Sequence, residues 1–128
     1  MNVLLDTHTF LWFVAGEEKL SPKARTAIEN PDNVKLVSMA SFWEIAIKVS
    51  LGRLSLTQPF RHFLTSQMEI NGFNQLQIEI THLDVVRGLP LHHRDPFDRL
   101  LAAQCIADDL TLFSADAAFD PYPVKRIW

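Results

Sequence analysis

A three-layer α/β/α sandwich around a central, mainly parallel sheet of four or five strands is the architecture this sequence predicts. Short apolar runs alternate with longer helical stretches along the chain, the order that builds a parallel sheet covered on both faces. A length of 128 residues, 48% of them hydrophobic, is enough to bury one substantial core. No repeat, linker or low-complexity stretch interrupts the pattern, so residues 1–128 read as a single domain.

The elements follow in order. Residues 3–5, Val-Leu-Leu, form an apolar run that stops at Asp6, as a buried strand does. Residues 7–14 continue with Thr, His and bulky apolar groups and predict a helix packed on the sheet. Ser21-Pro22 opens a second helix, with Ser as N-cap and Pro at the first helical position, and it runs through Ala24, Ala27 and Ile28. A second strand is expected at 34–37. The apolar spacing of 39–51 is helical and stops at Gly52, a typical C-terminal glycine.

A further helix starts after Pro59 and reaches Asn71-Gly72. Residues 76–80, Leu-Gln-Ile-Glu-Ile, alternate like a strand, and 81–88 reads as a short helix capped by Thr81. Asp95-Pro96 opens the clearest helix, ending near Asp108-Asp109. Strand 110–113, one helical turn at 116–119 and a last strand at 124–127 complete the chain.

Composition excludes several classes. Ordinary apolar content and 21% charged residues exclude disorder. The longest purely apolar run, residues 10–15, falls far short of the ~20 residues a membrane span needs. The N-terminus lacks the basic-then-apolar order of a signal peptide. A single cysteine, Cys105, allows no internal disulfide and suits a reducing cytoplasm. A net charge of −3 argues mildly against a nucleic-acid partner.

That last argument depends on what the acids do. In a parallel sheet, function gathers beyond the carboxyl ends of the strands. Asp6 sits there on the first strand, although turns and caps use Asp in the same place. Glu44 lies in a helix apolar nearly all round, where it either pairs with Lys48 one turn on or aims a lone carboxylate into a cleft. In Asp95-Pro-Phe-Asp98, capping alone accounts for both acids, yet a helix N-terminus also keeps carboxylates ionised. Ser114-Ala-Asp116 repeats the pattern after a strand, with Ser114 as cap of the following turn.

Taken together, these acids from distant parts of the chain can converge on one edge of the sheet. Unpaired carboxylates brought together demand a cation, and hard oxygen donors without cysteine suit Mg²⁺ or Mn²⁺ rather than zinc. Setting Asp6, Glu44, Asp95, Asp98 and Asp116 aside moves the formal net charge from −3 to +2. A phosphate-bearing substrate then becomes acceptable.

These residues resemble the PIN-domain nucleases, and among them the VapC toxins of prokaryotic toxin–antitoxin pairs. The likeness runs in order through Met1-Asn-Val-Leu-Leu-Asp-Thr-His-Thr-Phe-Leu-Trp12, Ser41-Phe-Trp-Glu-Ile45, Pro96-Phe-Asp-Arg-Leu-Leu-Ala-Ala-Gln104 and Phe113-Ser-Ala-Asp116-Ala-Ala-Phe119. The resemblance implies a PIN-like fold and an Mg²⁺- or Mn²⁺-dependent endoribonuclease. Asp6, Glu44, Asp98 and Asp116 would surround one or two ions, Asp95 would cap its helix and add an outer ligand, and Ser114 would orient Asp116 or a water. It also implies a homodimer, silenced by a cognate antitoxin whose C-terminal segment lies in the catalytic groove. The second apolar face of helix 39–51 and the aromatics of Phe10-Leu-Trp-Phe13 suit such contacts, and core packing accounts for them equally well.

For gripping RNA, Arg94 and Arg99 flank the acidic cluster, where each either pairs with phosphate or makes a local ion pair with a neighbouring acid, and Lys48 and Arg53 extend a basic track from the Glu44 helix. His92 and His93 are either RNA contacts or solvated loop residues, and His8 is a candidate partner of Asp6. A haloacid-dehalogenase-type phosphatase would want an acid where His8 stands. A zinc hydrolase would want clustered His or Cys ligands, and the sequence has none. The non-enzymatic alternative is a catalytically silent PIN-like domain that binds RNA or a partner protein.

Overall fold

The computed structural model describes all 128 residues. Its chain order is β1 (Asn2–Leu5), α1 (Thr7–Ala15), α2 (Pro22–Glu29), β2 (Val34–Ser38), α3 (Met39–Ser50), α4 (Phe60–Asn71), β3 (Asn74–Leu76), α5 (Ile80–Gly88), α6 (Pro96–Asp108), β4 (Thr111–Phe113), a 3₁₀ turn (Ala117–Phe119) and β5 (Lys125–Ile127). The five strands pair in the order β3-β2-β1-β4-β5, and every pairing is parallel. The expected sandwich with a parallel sheet is therefore what the chain forms.

Side chains leave β1 on alternate faces, and each face has its own core. Val3 and Leu5 join Phe10, Ala24, Ile28, Val37, Ile45, Phe63, Phe73 and Phe113, gathered from α1, α2, α3, α4 and the strands. Leu4 turns the other way, among Leu101, Ala102, Cys105, Leu112, Phe119 and Tyr122, where α6 covers the sheet. All three β1 side chains are fully buried. Helix α3 joins the two cores at the sheet end, with Ala40 in one and Ile45 in the other.

Local chemistry explains the helix ends. Asp6, Ser21, Ser38 and Asp95 cap α1, α2, α3 and α6 through their side-chain oxygens, and Pro22 and Pro96 occupy first helical positions. Helix α1 ends at Gly16 with φ of 67°, a left-handed conformation that costs glycine nothing. Helix α6 ends at Asp109 with φ of 53°, where a short polar side chain tolerates the same conformation.

The strand expected at 76–80 is displaced. The third strand is Asn74–Leu76, paired with Leu36–Ser38 of β2. The apolar residues behind the alternating pattern, Leu76 and Ile78, do pack on the second core, but the chain has left the ladder by Gln77. Helix α5 also begins earlier than expected. His82 draws it back to a start at Ile80, because its Nδ1 accepts the Glu79 backbone N–H at 3.0 Å while its Nε2 meets Asp108 Oδ2 at 2.9 Å. Thr81 is inside this helix, not its cap.

Candidate active site

Strand order reverses direction between β1 and β4: the chain steps outward from β1 to β2 and β3, then returns to β4 and β5. Such a switch point opens a crevice beyond the carboxyl ends of the strands. The two ends are tied together here. The Asp6 backbone N–H donates to the Phe113 carbonyl at 3.1 Å, and the Thr9 hydroxyl donates to the same oxygen at 2.9 Å.

Asp6 is 5% exposed, and its Oδ1 accepts the Thr9 backbone N–H at 2.8 Å. Burial pushes its pKa up, against hydrogen bonds from Ser114 and Thr9 and the nearby His8. Ser114 is fully buried and also accepts the Asp116 backbone N–H at 3.0 Å. The 3₁₀ turn is capped by Asp116 rather than by Ser114: Asp116 Oδ1 accepts the Ala118 N–H at 2.9 Å, which leaves Oδ2 facing the crevice residues.

Glu44 reaches the site from α3 and is 9% exposed. The pairing with Lys48 forms, so the carboxylate is not a lone one. Its Oε2 pairs with Lys48 Nζ at 3.0 Å, while its Oε1 accepts the Thr7 hydroxyl at 2.7 Å. Thr7 Oγ1 also lies 3.0 Å from the buried Ser41 Oγ, so a chain of hydroxyls joins α1 to α3 beneath the carboxylate.

The first turn of α6 supplies Asp95 and Asp98. Asp95 is the N-cap: its Oδ1 accepts the N–H groups of Phe97 at 2.8 Å and Asp98 at 3.2 Å. The Asp98 side chain is 19% exposed, and its pKa is raised to about 7. Burial is the largest cause, followed by the negative charges of Asp95 and Asp6, with Glu44 adding a smaller push and His93 opposing. Acids from β1, α3 and α6 thus feel one another electrostatically. His93 Nε2 then stands 3.0 Å from Asp98 Oδ2 and 3.3 Å from Asp116 Oδ2.

Other expectations are placed differently. Arg99 does not face the crevice as a phosphate ligand. Its guanidinium donates to the carbonyls of Pro90, Val86 and Leu89 and to the Tyr122 hydroxyl, at 2.9–3.3 Å. It is a buttress for the loop before α6. Arg94 is exposed and makes no ion pair, and Lys48 is engaged with Glu44. His8 is exposed, with its ring 5.6 Å from that of Trp12. Trp43 makes the second face of α3 a largely open one, since it is 60% exposed, with its ring in a T-shaped contact with Phe97 at 5.1 Å between centroids. Phe10 is core, and Leu11, Trp12 and Phe13 pack against that core.

Thr7, Ser41 and the His93 contacts escaped the sequence reading. Thr7 follows Asp6 at a helix start, where a hydroxyl is ordinary, and nothing local marks its partner 37 positions away. His93 offered a weak signal, a ring two residues before a capping Asp.

The donor set fits a hard divalent cation. Asp6, Glu44, Asp98 and Asp116 offer carboxylate oxygens, with hydroxyls rather than sulfur around them, and the raised Asp98 pKa marks a crowd of like charge that such an ion would relieve. A parallel α/β sandwich with acids collected at its switch point is an architecture for handling charged, oxygen-rich ligands. Within that class, the chain belongs to the PIN-domain family, whose sequence profile matches residues 3–125. Curated proteins offer no sequence match. Among solved structures, the chain resembles a VapBC2 structure from Rickettsia felis bound to promoter DNA, with a TM-score of 0.69 and 16% identity over 99% of this chain and 98% of that one. FitAcB from Neisseria gonorrhoeae is similar at a TM-score of 0.67 and 16% identity, covering 100% and 97%. VapBC-1 from nontypeable Haemophilus influenzae gives 0.66 and 14%, covering 99% and 97%.

Proposed function

We propose that this protein is a divalent-metal-dependent endoribonuclease, a VapC-type toxin that hydrolyses RNA phosphodiester bonds and is neutralised by a cognate antitoxin. One observation carries the reading. Carboxylates from the end of β1, the middle of α3, the start of α6 and the turn after β4 gather at the switch point of a PIN-domain fold.

Asp6, Asp98 and Asp116 would hold Mg²⁺ or Mn²⁺, with Glu44 available to a second ion or to the attacking water and Asp95 keeping its helix start in place and available as an outer ligand. Bound there, the ion neutralises phosphodiester charge and acts as a Lewis acid. Glu44, oriented by Thr7 and Lys48, accepts a proton from the attacking water. Ser114 orients Asp6 and the Asp116 backbone. Arg94, exposed and unpaired, meets substrate phosphate, and Lys48 and Arg53, which line one groove beside α1, extend the basic track. Cleavage leaving a 5′-phosphate and a 3′-hydroxyl follows from the family resemblance.

An apolar groove of 1130 Å³ between α3 and α4, lined by Met39, Phe42, Trp43, Phe60, Leu64 and Met68, suits the apolar residues of an antitoxin. The solved complexes with VapB- or FitA-type partners support such a protein partner. A homodimer is expected from the same resemblance. Action in the cytoplasm is part of the same reading; no helix is long and apolar enough to cross a membrane.

The test is cleavage of labelled RNA by partner-free protein in Mn²⁺ and in EDTA, with Asp6→Asn beside wild type. Discrete fragments requiring both the metal and Asp6 support the proposal. A folded, metal-binding protein that cuts nothing turns the reading toward a domain that only binds.

A further inference from the structure

Three ligand-type atoms cluster in the crevice, on His93, Asp98 and Asp116, within 4.8 Å of one another. At face value that is a mixed nitrogen and oxygen metal site. The hydrogen bonds of the imidazole argue otherwise.

His93 Nδ1 accepts the backbone N–H of Asp95 at 3.2 Å. A nitrogen that accepts an N–H has its lone pair in use and carries no proton, so the proton of the neutral ring sits on Nε2. A histidine that ligates a metal through Nε2 shows the reverse arrangement, in which Nδ1–H donates to a carbonyl or carboxylate. Here Nε2 is hydrogen-bonded to Asp116 Oδ2 at 3.3 Å instead, and Asp98 Oδ2 lies 3.0 Å away as an ion-pair contact. We infer that His93 is a positioning residue: its Nε2–H donates to Asp116 of the turn after β4, with Asp98 of α6 in ion-pair range of the same nitrogen, so that it sets the two acids relative to each other and leaves the proposed metal site an all-oxygen one.

The ring is held on every side. It packs on Phe119 at 5.8 Å between centroids. The His93 backbone N–H donates to the Tyr122 hydroxyl at 3.0 Å, and the His92 N–H donates there at 3.2 Å. Tyr122 in turn donates to the Pro90 carbonyl at 2.8 Å, and Arg99 Nη1 donates to both of these oxygens. The arginine expected at the substrate thus anchors, through Tyr122, the loop that carries His93. A ring turned to offer Nε2 to a metal would place Nδ1–H against the Asp95 N–H, donor against donor. The expected consequence is a centre with little built-in preference between Mg²⁺ and Mn²⁺, whereas a nitrogen ligand would tilt it toward Mn²⁺ and the later metals.

This inference rests on the metal-site reading for its consequence, but its core is testable without metal. Histidine ¹⁵N–¹H correlation spectra of the metal-free protein, with the His93 signals assigned through His93→Gln, should show a protonated Nε2 and a bare Nδ1. Titration with diamagnetic Mg²⁺ should leave that pattern in place. A proton on Nδ1 with Nε2 bare, before or after Mg²⁺, overturns the inference.

Calorimetric titration then compares wild type, His93→Gln and His93→Leu with Mg²⁺ and with Mn²⁺. Positioning predicts that Leu weakens both metals alike, roughly tenfold, and that Gln, which retains an N–H, restores most of the affinity. Selective loss of Mn²⁺ binding in both variants overturns it. If the folded wild type binds neither metal, the nuclease reading fails, while the tautomer measured in the metal-free protein still decides the role of His93.

Discussion

The Thr7 hydroxyl donates to Glu44 Oε1 across 2.7 Å, joining the first residue of α1 to the middle of α3. This bond gives a buried carboxylate a neutral donor, so its charge is only partly countered by Lys48 on the other oxygen. Thr7→Val keeps the shape and removes the donor. A hydrogen bond to a charged group contributes about 2 kcal/mol, so Thr7→Val should lower stability by about that amount and slow RNA cleavage, while Thr7→Ser retains most of both. Denaturant melts and cleavage rates measured side by side check this.

Asp6 separates activity from stability. Asn caps a helix as well as Asp does and carries no charge to bury. Asp6→Asn should therefore leave the melting temperature unchanged or raised, while cleavage falls on the order of 100-fold or more. A variant that loses stability in step with activity would mean that Asp6 serves the fold alone.

The raised Asp98 pKa has a defined sign. In metal-free protein the folded carboxyl titrates at about 7, against an ordinary value of 3.8. Between those values the folded state holds a proton that the unfolded chain has released, so stability falls as pH rises across that window and is level above it. Thermal melts in EDTA should show this decline, and Asp98→Asn should flatten it. Added Mg²⁺ or Mn²⁺ should stabilise the protein more at pH 8 than at pH 5, because the ion competes with that proton.

Two arginines five positions apart should behave oppositely. Arg99 donates to three carbonyls and to Tyr122, so Arg99→Met strips donors from half-buried acceptors and should cost about 2 kcal/mol or more of stability. Arg94 is exposed and unpaired. Arg94→Gln should change stability by no more than about 0.5 kcal/mol and should weaken RNA binding with a shallower salt dependence. Melting temperatures and binding titrations over a range of salt separate the two.

Particular residues show how far the sequence could be read. The runs at 3–5 and 34–37 announced strands because parallel strands are buried on both faces, and Ser21-Pro22 and Asp95-Pro96 announced helices because caps are local chemistry. The third strand starts two residues and ends four residues before the alternating run 76–80, because periodicity reports packing. Leu76 and Ile78 pack on the core whether or not the backbone between them pairs. The second face of α3 fits core and contact surface equally well from sequence, because apolar spacing does not say whether a neighbour covers it. Trp43, 60% exposed with Phe97 against its edge, shows that the chain covers that face only in part.

The sequence by itself determined the α/β alternation, the capped starts of α2 and α6 and the set of acids at strand ends and helix N-termini, since each depends on neighbours within a few positions. Only the tertiary structure decided that β1 pairs with both β2 and β4, which carries Asp6 to Ser114 and brings α6 across to present Asp98. The same packing turned Arg99 away from the crevice and His93 toward it. Those outcomes rest on contacts between residues tens of positions apart, and the direction of a long side chain is set by whichever acceptors the folded neighbours place within its reach.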